Sequence, residues 1–133
     1  MNRCFVCGPD NPEGLRLKFA YDPKKHSVET RAVIDPRYQG ATGYSHGGMI
    51  ATLLDEAMAK ANGLGGIKAV TLRITVTYRK MVPVSTELRL SAHRVRRRGR
   101  KLYLQSQLHD NAGQLLAEAH ALFLEVPRSN MSI

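Results

Sequence analysis

The sequence predicts an α+β fold in which one long helix packs on an antiparallel β-sheet. Three observations support this prediction: a single segment with helical periodicity, a strictly alternating strand directly after it, and three more strand-like runs joined by short turns. Strands that follow one another without intervening helices pair antiparallel, and a lone amphipathic helix must bury its apolar face against their sheet.

The first predicted elements are two strands. Residues 14–21 alternate between apolar and polar side chains, which is the period of a half-buried strand. A second, weaker strand is expected over 27–34, after the turn-forming pair Asp22-Pro23.

The predicted helix runs from His46 to Ala61. Its apolar residues recur at spacings of one, three and four, and they are Met49, Ile50, Leu53, Leu54, Ala57, Met58 and Ala61. Two glycine-containing pairs, Asn62-Gly63 and Gly65-Gly66, are expected to stop the helix.

A second arc of this helix carries small side chains where a solvent-facing helix usually has long charged ones. Its members are Ala51, Thr52, Asp55 and Ala59. We place the solvent edge at Glu56 and Lys60, an i,i+4 pair. The helix is therefore expected to be covered on two faces, which would bring Asp55 within reach of a substrate or a second subunit. An exposed and idle Asp55 is the alternative.

Four strands are expected after the helix. In the first, from Val70 to Tyr78, apolar residues alternate with Thr and Arg, so one face is apolar and the other polar; Pro83 breaks it. The other three form an antiparallel meander with turns at Arg98-Gly99 and from Asp110 to Gly113. They cover about 86–96, 101–109 and 115–125.

Length and composition predict one domain over residues 1–133, with a core of about 14–126 and a ragged end from Arg128 to Ile133. No apolar run approaches the roughly 18–20 residues of a membrane span, and the first residues lack the pattern of a secretory signal. We therefore expect a cytoplasmic protein with no membrane partner.

The start of the helix and Asp55 are candidates for catalysis. Gly47 and Gly48 leave backbone N–H groups at the positive end of the helix dipole, where a developing anion can approach them. Asp55 is ionised at neutral pH and can serve as a nucleophile or as the base for a water. His46 is either a second base or a residue that fixes the loop by hydrogen bonding. We expect the Asp55 carboxylate and the Gly47 N–H of the same helical segment to face one crevice between protomers, close enough to hold one carbonyl from both sides.

The net charge of +9 is concentrated in one segment, because six of the 20 cations lie within residues 94–101. This patch is typical of a compact phosphate site, although a solvated hairpin tip is an equal alternative. Tyr103 is the one aromatic residue interleaved with it, so the stacking platform of a single-strand nucleic-acid binder is missing. We expect only non-specific, salt-sensitive binding of nucleic acid.

Cys4 and Cys7 are the two cysteines of the chain, and they supply at most half of a four-ligand zinc site. With no second cysteine pair in the chain and only His26 as a further candidate, we expect no metal; a site made from the cysteines of two subunits is the alternative.

Several segments together resemble one known family. The run His-Gly-Gly-Met-Ile-Ala-Thr-Leu-Leu-Asp places Asp55 nine positions after His46. Further matching segments are Cys4 to Leu15, Tyr38-Gln39-Gly40, Thr71 to Tyr78 and Asp110 to Phe123. Over residues 4–126 the chain resembles the PaaI-type acyl-CoA thioesterases of the hotdog-fold superfamily.

This resemblance implies a hotdog fold, in which an antiparallel sheet wraps the central helix. It also implies a homodimer whose two sheets join, with pairing into a dimer of dimers, and active sites between subunits. The implied reaction is hydrolysis of an acyl-CoA thioester to a free acid and coenzyme A, without a metal or redox cofactor.

The resemblance also implies roles for individual residues. Asp55 would attack the thioester carbonyl or activate a water, the Gly47 N–H would polarise the carbonyl, and Thr71 of the neighbouring subunit would orient the water. His46 is the fourth predicted catalytic residue, with Asp55, Gly47 and Thr71. Gly40 stands where some relatives have Asn or Gln, which leaves the positioning of water unassigned. The implied substrate-binding and coenzyme A-binding residues are Gly48, Tyr78, Arg97, Arg98, Gly99, Arg100 and Lys101.

Two other functions remain open at the level of sequence. The run Glu56 to Ala59 is similar to the helix of hotdog hydratases and dehydratases, although their spacing of His and acid differs. A non-catalytic acyl-CoA sensor or nucleic-acid module is the other alternative. The acyl group, the choice between nucleophile and general base, and the tetramer arrangement are not specified.

Overall fold

A computed structural model describes residues 1–127 of the chain, and the ragged end proposed for Arg128 to Ile133 lies outside them. One six-stranded antiparallel sheet packs on a 17-residue helix, which confirms the predicted α+β architecture. The elements are β1 (Ala20–Asp22), β2 (Ser27–Val33), a short 3-10 turn (Pro36–Tyr38), α1 (Gly47–Gly63), β3 (Ala69–Tyr78), β4 (Glu87–Arg98), β5 (Lys101–Asp110) and β6 (Leu115–Glu125). The order of the strands in the sheet is β1-β2-β4-β5-β6-β3.

Helix α1 buries the apolar stripe predicted for it, and all seven of those residues are buried. The helix begins one residue later than predicted, because His46 has extended backbone (φ −61°, ψ 141°) and serves as the N-cap. It also continues past Ala61 to Gly63, so the pair Asn62-Gly63 lies inside the helix and does not stop it as predicted. Leu64 is the C-cap, and in the turn that follows Gly66 adopts φ +83°, a conformation that favours glycine.

The strand predicted over 14–21 is largely absent, and β1 begins only at Ala20. Arg16 adopts φ 53°, which interrupts extended backbone. The N–H groups of Leu15 and Leu17 donate to the carbonyls of Phe5 and Val6, at 2.8 and 2.9 Å, instead of joining the sheet. Val6 is 2% exposed, so the core begins before the predicted residue 14.

Strand β3 departs from the strict alternation predicted for it. Its pairing with β6 shifts register between Thr71 and Arg73, so Leu72 forms a bulge and is 39% exposed. After the bulge, Ile74 and Val76 pack on the core. The bulge changes which face the earlier residues occupy, and Thr71 faces the helix instead of the polar side on which alternation placed it.

The meander β4-β5-β6 is confirmed, with β4 running to Arg98 instead of residue 96. Gly99 adopts φ +59° in the tight β4–β5 turn, where a residue with a β-carbon is strained. Strand β3 pairs with β6 and forms one edge of the sheet.

The face of α1 that carries Glu56 and Lys60 is not a solvent edge, since both residues are half-buried. The N-terminal segment covers this face, and the Cys4 thiol donates a 3.3 Å hydrogen bond to Glu56 Oε1. Within residues 1–127 no helix combines the length and the apolar character needed to cross a bilayer.

Candidate active site

Asp55 is the centre of the candidate site. It lies half-buried in the middle of α1, and Thr71 Oγ1 on β3 donates a 2.8 Å hydrogen bond to its Oδ1. Oδ2 makes no hydrogen bond to any residue in the described range 1–127. The resemblance implied that Thr71 comes from the neighbouring subunit. The β3 bulge brings the Thr71 hydroxyl to Asp55 of its own chain, and a role of Thr71 in a site shared with a neighbouring subunit stays a prediction.

The start of α1 presents one free donor. His46 Nδ1 accepts a 2.9 Å hydrogen bond from the Gly48 N–H, so the Gly48 donor is already used. The Gly47 N–H has no acceptor among residues 1–127. Since Nδ1 accepts, a neutral His46 carries its proton on Nε2. Of the two interpretations of His46, the one in which it fixes the loop agrees with this contact.

Tyr78 holds the same end of the helix. Its hydroxyl donates a 2.7 Å hydrogen bond to the Gly47 carbonyl, and a β-carbon at Gly47 would lie 3.4 Å from that hydroxyl oxygen. Tyr78 also lines a groove of about 350 Å³ with Tyr44 and Met81, whose side chains are exposed. Tyr44 and Met81 were not predicted as site residues. The position of Tyr44 two residues before the His-Gly-Gly run is the one signal that marks it in the sequence.

Gly47 and Asp55 of one chain lie too far apart along the helix axis to contact one carbonyl group directly. They are eight positions apart on one helix, which corresponds to about 12 Å along the axis. A donor and an attacking group that contact one carbonyl are separated by at most about 7 Å, from two approaches of about 3 Å and the C=O bond. A water between the carboxylate and the carbonyl carbon, as in general-base catalysis, adds about 3 Å to this reach.

The cations of the basic β4–β5 hairpin differ in whether they are bound to other residues of the chain. Arg97 pairs with the Glu125 carboxylate, and Arg100 Nε donates a 3.0 Å hydrogen bond to the Glu125 carbonyl, so these two cations hold the turn against β6. Arg98 and Lys101 instead line a concave surface with Gly99 and Tyr103. Of the predicted binding cations, Arg98 and Lys101 are the ones left available to a ligand.

The hairpin and Asp55 lie toward the same end of the sheet. Lys101 pairs with Leu124 on β6, and Leu124 pairs in turn with Val70, the neighbour of Thr71. Two strand spacings correspond to about 10 Å. Lys101 and Tyr103 alternate with the buried Leu102 and Leu104, which face α1, so within one chain the cations of the hairpin lie on the sheet face opposite Asp55.

A separate cluster joins the N-terminal segment to α1. One donor atom from each of Cys4, Cys7 and Glu56 lies within 4.8 Å of the others. Burial raises the pKa of the Cys7 thiol from 9.0 to about 11, and the Glu56 carboxylate and a hydrogen bond with Cys4 act in the same direction. Glu56 was not predicted as a partner of the cysteines.

Similar proteins identify the family of this chain. Residues 42–117 match the family model of the thioesterase superfamily. The chain is 28% identical over 117 residues to acyl-coenzyme A thioesterase THEM4 of Mus musculus, covering 86% of this chain and 50% of the relative. It is 26% identical over 89 residues to acyl-coenzyme A thioesterase THEM5 of Homo sapiens, covering 66% of this chain and 36% of the relative. The chain thus spans half or less of the length of these relatives.

Solved structures agree with the family match. A thioesterase superfamily protein superposes with a TM-score of 0.85 at 27% identity, covering 92% of this chain and 63% of that one. The PaaI protein of E. coli superposes with a TM-score of 0.76 at 14% identity, covering 84% of this chain and 80% of its own, which shows likeness of fold alone. The fold is therefore the hotdog fold expected from the sequence, and the chain belongs to the thioesterase superfamily.

Proposed function

We propose that this protein hydrolyses an acyl-CoA thioester to a free acid and coenzyme A, without a metal or redox cofactor in the reaction. The observation that carries the proposal is the Asp55 carboxylate. One of its oxygens is held by Thr71 and the other is free of partners within residues 1–127. A carboxylate fixed in this way on a helix face is suited to attack a carbonyl or to activate a water. The relatives named acyl-coenzyme A thioesterases support the same reaction.

In the proposed reaction, Asp55 Oδ2 acts either as a general base or as a nucleophile. As a base it takes a proton from water, and the water oxygen bonds to the thioester carbon. The resulting oxyanion accepts a hydrogen bond from the Gly47 N–H, and the C–S bond then breaks as the proton passes to the leaving sulfur. As a nucleophile, Asp55 forms an acyl anhydride as the thiolate leaves, and water hydrolyses the anhydride. Both routes produce an acid and a thiol.

The separation of Gly47 and Asp55 along the helix supports a site whose two groups come from different protomers. Strand β3 has ten residues and lies at the sheet edge, so its outer backbone groups are available to a second copy. Antiparallel pairing of two β3 strands joins the two sheets and gives a two-fold dimer. We propose this homodimer as the active unit, and a dimer of dimers remains a further prediction of the resemblance.

Arg98 and Lys101 are proposed to bind the phosphates of coenzyme A. They lie toward the Asp55 end of the sheet and line one concave surface. The positive charge of the 94–101 segment attracts the polyanionic substrate, and this attraction weakens as salt increases.

Release of thiol from short-chain, long-chain and aryl acyl-CoAs tests the proposed function. Asp55→Asn removes the negative charge and is expected to lower the rate at least about 100-fold. The matched control is Glu29→Gln, which neutralises an exposed carboxylate on β2 and is expected to leave the rate unchanged. A folded Asp55→Asn protein with full activity on every cleaved substrate contradicts the mechanism. Hydration of an enoyl-CoA without release of thiol would favour the hydratase alternative.

A further inference from the structure

We propose that Cys4, Cys7 and Glu56 bind a zinc ion that holds the N-terminal segment on helix α1. The three side chains offer two sulfurs and one carboxylate oxygen within 4.8 Å of one another. This inference does not depend on the proposed hydrolysis, and it replaces the expectation that the chain binds no metal.

The spacing of the donor atoms agrees with tetrahedral zinc. With Zn–S bonds of about 2.3 Å and Zn–O bonds of about 2.0–2.2 Å, neighbouring ligand atoms are separated by roughly 3.5–3.8 Å. Cys4 Sγ and Glu56 Oε1 are 3.3 Å apart and the remaining donor pairs lie within 4.8 Å, so each pair is within about 1.3 Å of the tetrahedral spacing.

The backbone of the Cys4–Cys7 turn is shaped so that both sulfurs point to one place. The Gly8 N–H donates a 2.9 Å hydrogen bond to the Cys4 carbonyl, which closes the turn. A β-carbon at Gly8 would lie 2.4 Å from the Cys4 nitrogen, so only glycine allows this closure. Asn2 Oδ1 accepts a 3.1 Å hydrogen bond from the Cys4 N–H, which also holds the turn.

The charges around the Cys4, Cys7 and Glu56 cluster favour a bound cation. Glu56 is half-buried beneath the N-terminal segment and forms no ion pair within residues 1–127. A half-buried carboxylate beside two thiols is costly unless a positive charge compensates it. Zn²⁺ bound by two thiolates and one carboxylate leaves a single negative charge, and Lys60, which lies near Cys7, is placed to offset it.

The donor set indicates zinc in preference to magnesium or calcium. Thiolates are soft ligands that select zinc, whereas magnesium and calcium prefer oxygen ligands throughout. Three protein ligands leave a fourth position, which a water can occupy. Val6, between the two cysteines, is 2% exposed, so the ion would bind a turn that is already anchored in the core.

Metal titration of the full chain, reduced and freed of metal by a chelator, tests this proposal. Co²⁺ is expected to bind with one equivalent per chain, with a thiolate-to-cobalt absorption band and the visible bands of tetrahedral cobalt. Zn²⁺ is expected to displace the cobalt and to raise the melting temperature, because it binds only the folded chain. A reduced protein that shows no thiolate-to-cobalt band overturns the proposal.

Variants test the individual ligands. Glu56→Gln is expected to weaken Zn²⁺ binding at least about tenfold, since even indirect partners of a metal ligand contribute that much. The matched control, Glu13→Gln, changes an exposed carboxylate of the same segment and is expected to bind Zn²⁺ as tightly as the wild type. The double variant Cys4→Ser/Cys7→Ser is expected to lose the thiolate band. Glu56→Gln that retains wild-type affinity overturns the assignment of Glu56.

Discussion

The Thr71 hydroxyl and the Asp55 carboxylate are joined by a 2.8 Å hydrogen bond, and a single bulged residue in β3 makes this contact possible. Leu72 is the residue at which the register shifts, so Thr71 lies on the side of the strand that faces the helix. A strand without the bulge would direct Thr71 to the polar face with Thr75 and Thr77. The geometry of the candidate site thus depends on an irregularity of the sheet.

The Thr71 hydroxyl is expected to be required for activity. Thr71→Val keeps the shape of the side chain but removes the donor. A hydrogen bond to a charged group contributes about 1.5–3 kcal/mol, so we expect kcat to fall roughly 10- to 100-fold. Thr71→Ser is expected to retain most of the rate. Thr75→Val, at an exposed position of the same strand, is the control, and equal losses in Thr71→Val and Thr75→Val would contradict a specific role for Thr71.

His46 is expected to stabilise the start of the helix as its N-cap and not to act as a catalytic base. His46→Asn retains a side-chain acceptor for the Gly48 N–H and should keep near wild-type stability and kcat. His46→Ala leaves that donor unpaired and should lower the free energy of unfolding by about 1 kcal/mol. Urea denaturation and steady-state rates measure both quantities. A large loss of kcat in the stable His46→Asn protein would instead support a base.

The Tyr78 hydroxyl is expected to stabilise the start of the helix. Tyr78→Phe removes the 2.7 Å hydrogen bond to the Gly47 carbonyl. Because Tyr78 is 50% exposed, water replaces part of the bond. We therefore expect a loss of about 0.5 kcal/mol in the free energy of unfolding, measured by urea denaturation. Tyr44→Phe removes a neighbouring hydroxyl that makes no hydrogen bond within residues 1–127, and a loss of the same size in that variant would rule out this explanation.

Arg98 and Lys101 are expected to contribute to substrate affinity and not to the chemical step. The double variant Arg98→Ala/Lys101→Ala should raise KM for acyl-CoA roughly tenfold with little change in kcat. The effect should decrease in high salt, because the charges are screened. An acyl-pantetheine substrate, which lacks the nucleotide phosphates, should show no such increase.

Lys24→Ala/Lys25→Ala is the control for this prediction, because it removes the same charge from an exposed turn. If this variant raises KM for acyl-CoA as strongly, the effect reflects net charge alone and the hairpin site is wrong.

Features carried by local pattern were predictable from the sequence. The apolar stripe of α1, the meander of the last three strands and the basic turn at Gly99 each depend on residues a few positions apart, where side-chain period and turn chemistry act. The start of the helix was predictable for the same reason, since His46, Gly47 and Gly48 are adjacent. The prediction of a strand over 14–21 was wrong. Alternation alone does not reveal that Arg16 adopts a left-handed backbone conformation, or that the segment forms hydrogen bonds with Phe5 and Val6.

The sequence by itself determined which elements form and which residue types stand at the start of the helix, because neighbouring residues decide those properties. Only the tertiary structure decided which residues far apart in the sequence contact one another. Thr71 meets Asp55 across 16 positions, Tyr78 meets Gly47 across 31, and Cys4 meets Glu56 across 52. Such contacts depend on strand register, on the Leu72 bulge and on how the N-terminal segment crosses α1. These properties follow from packing of the whole core, which no local period encodes.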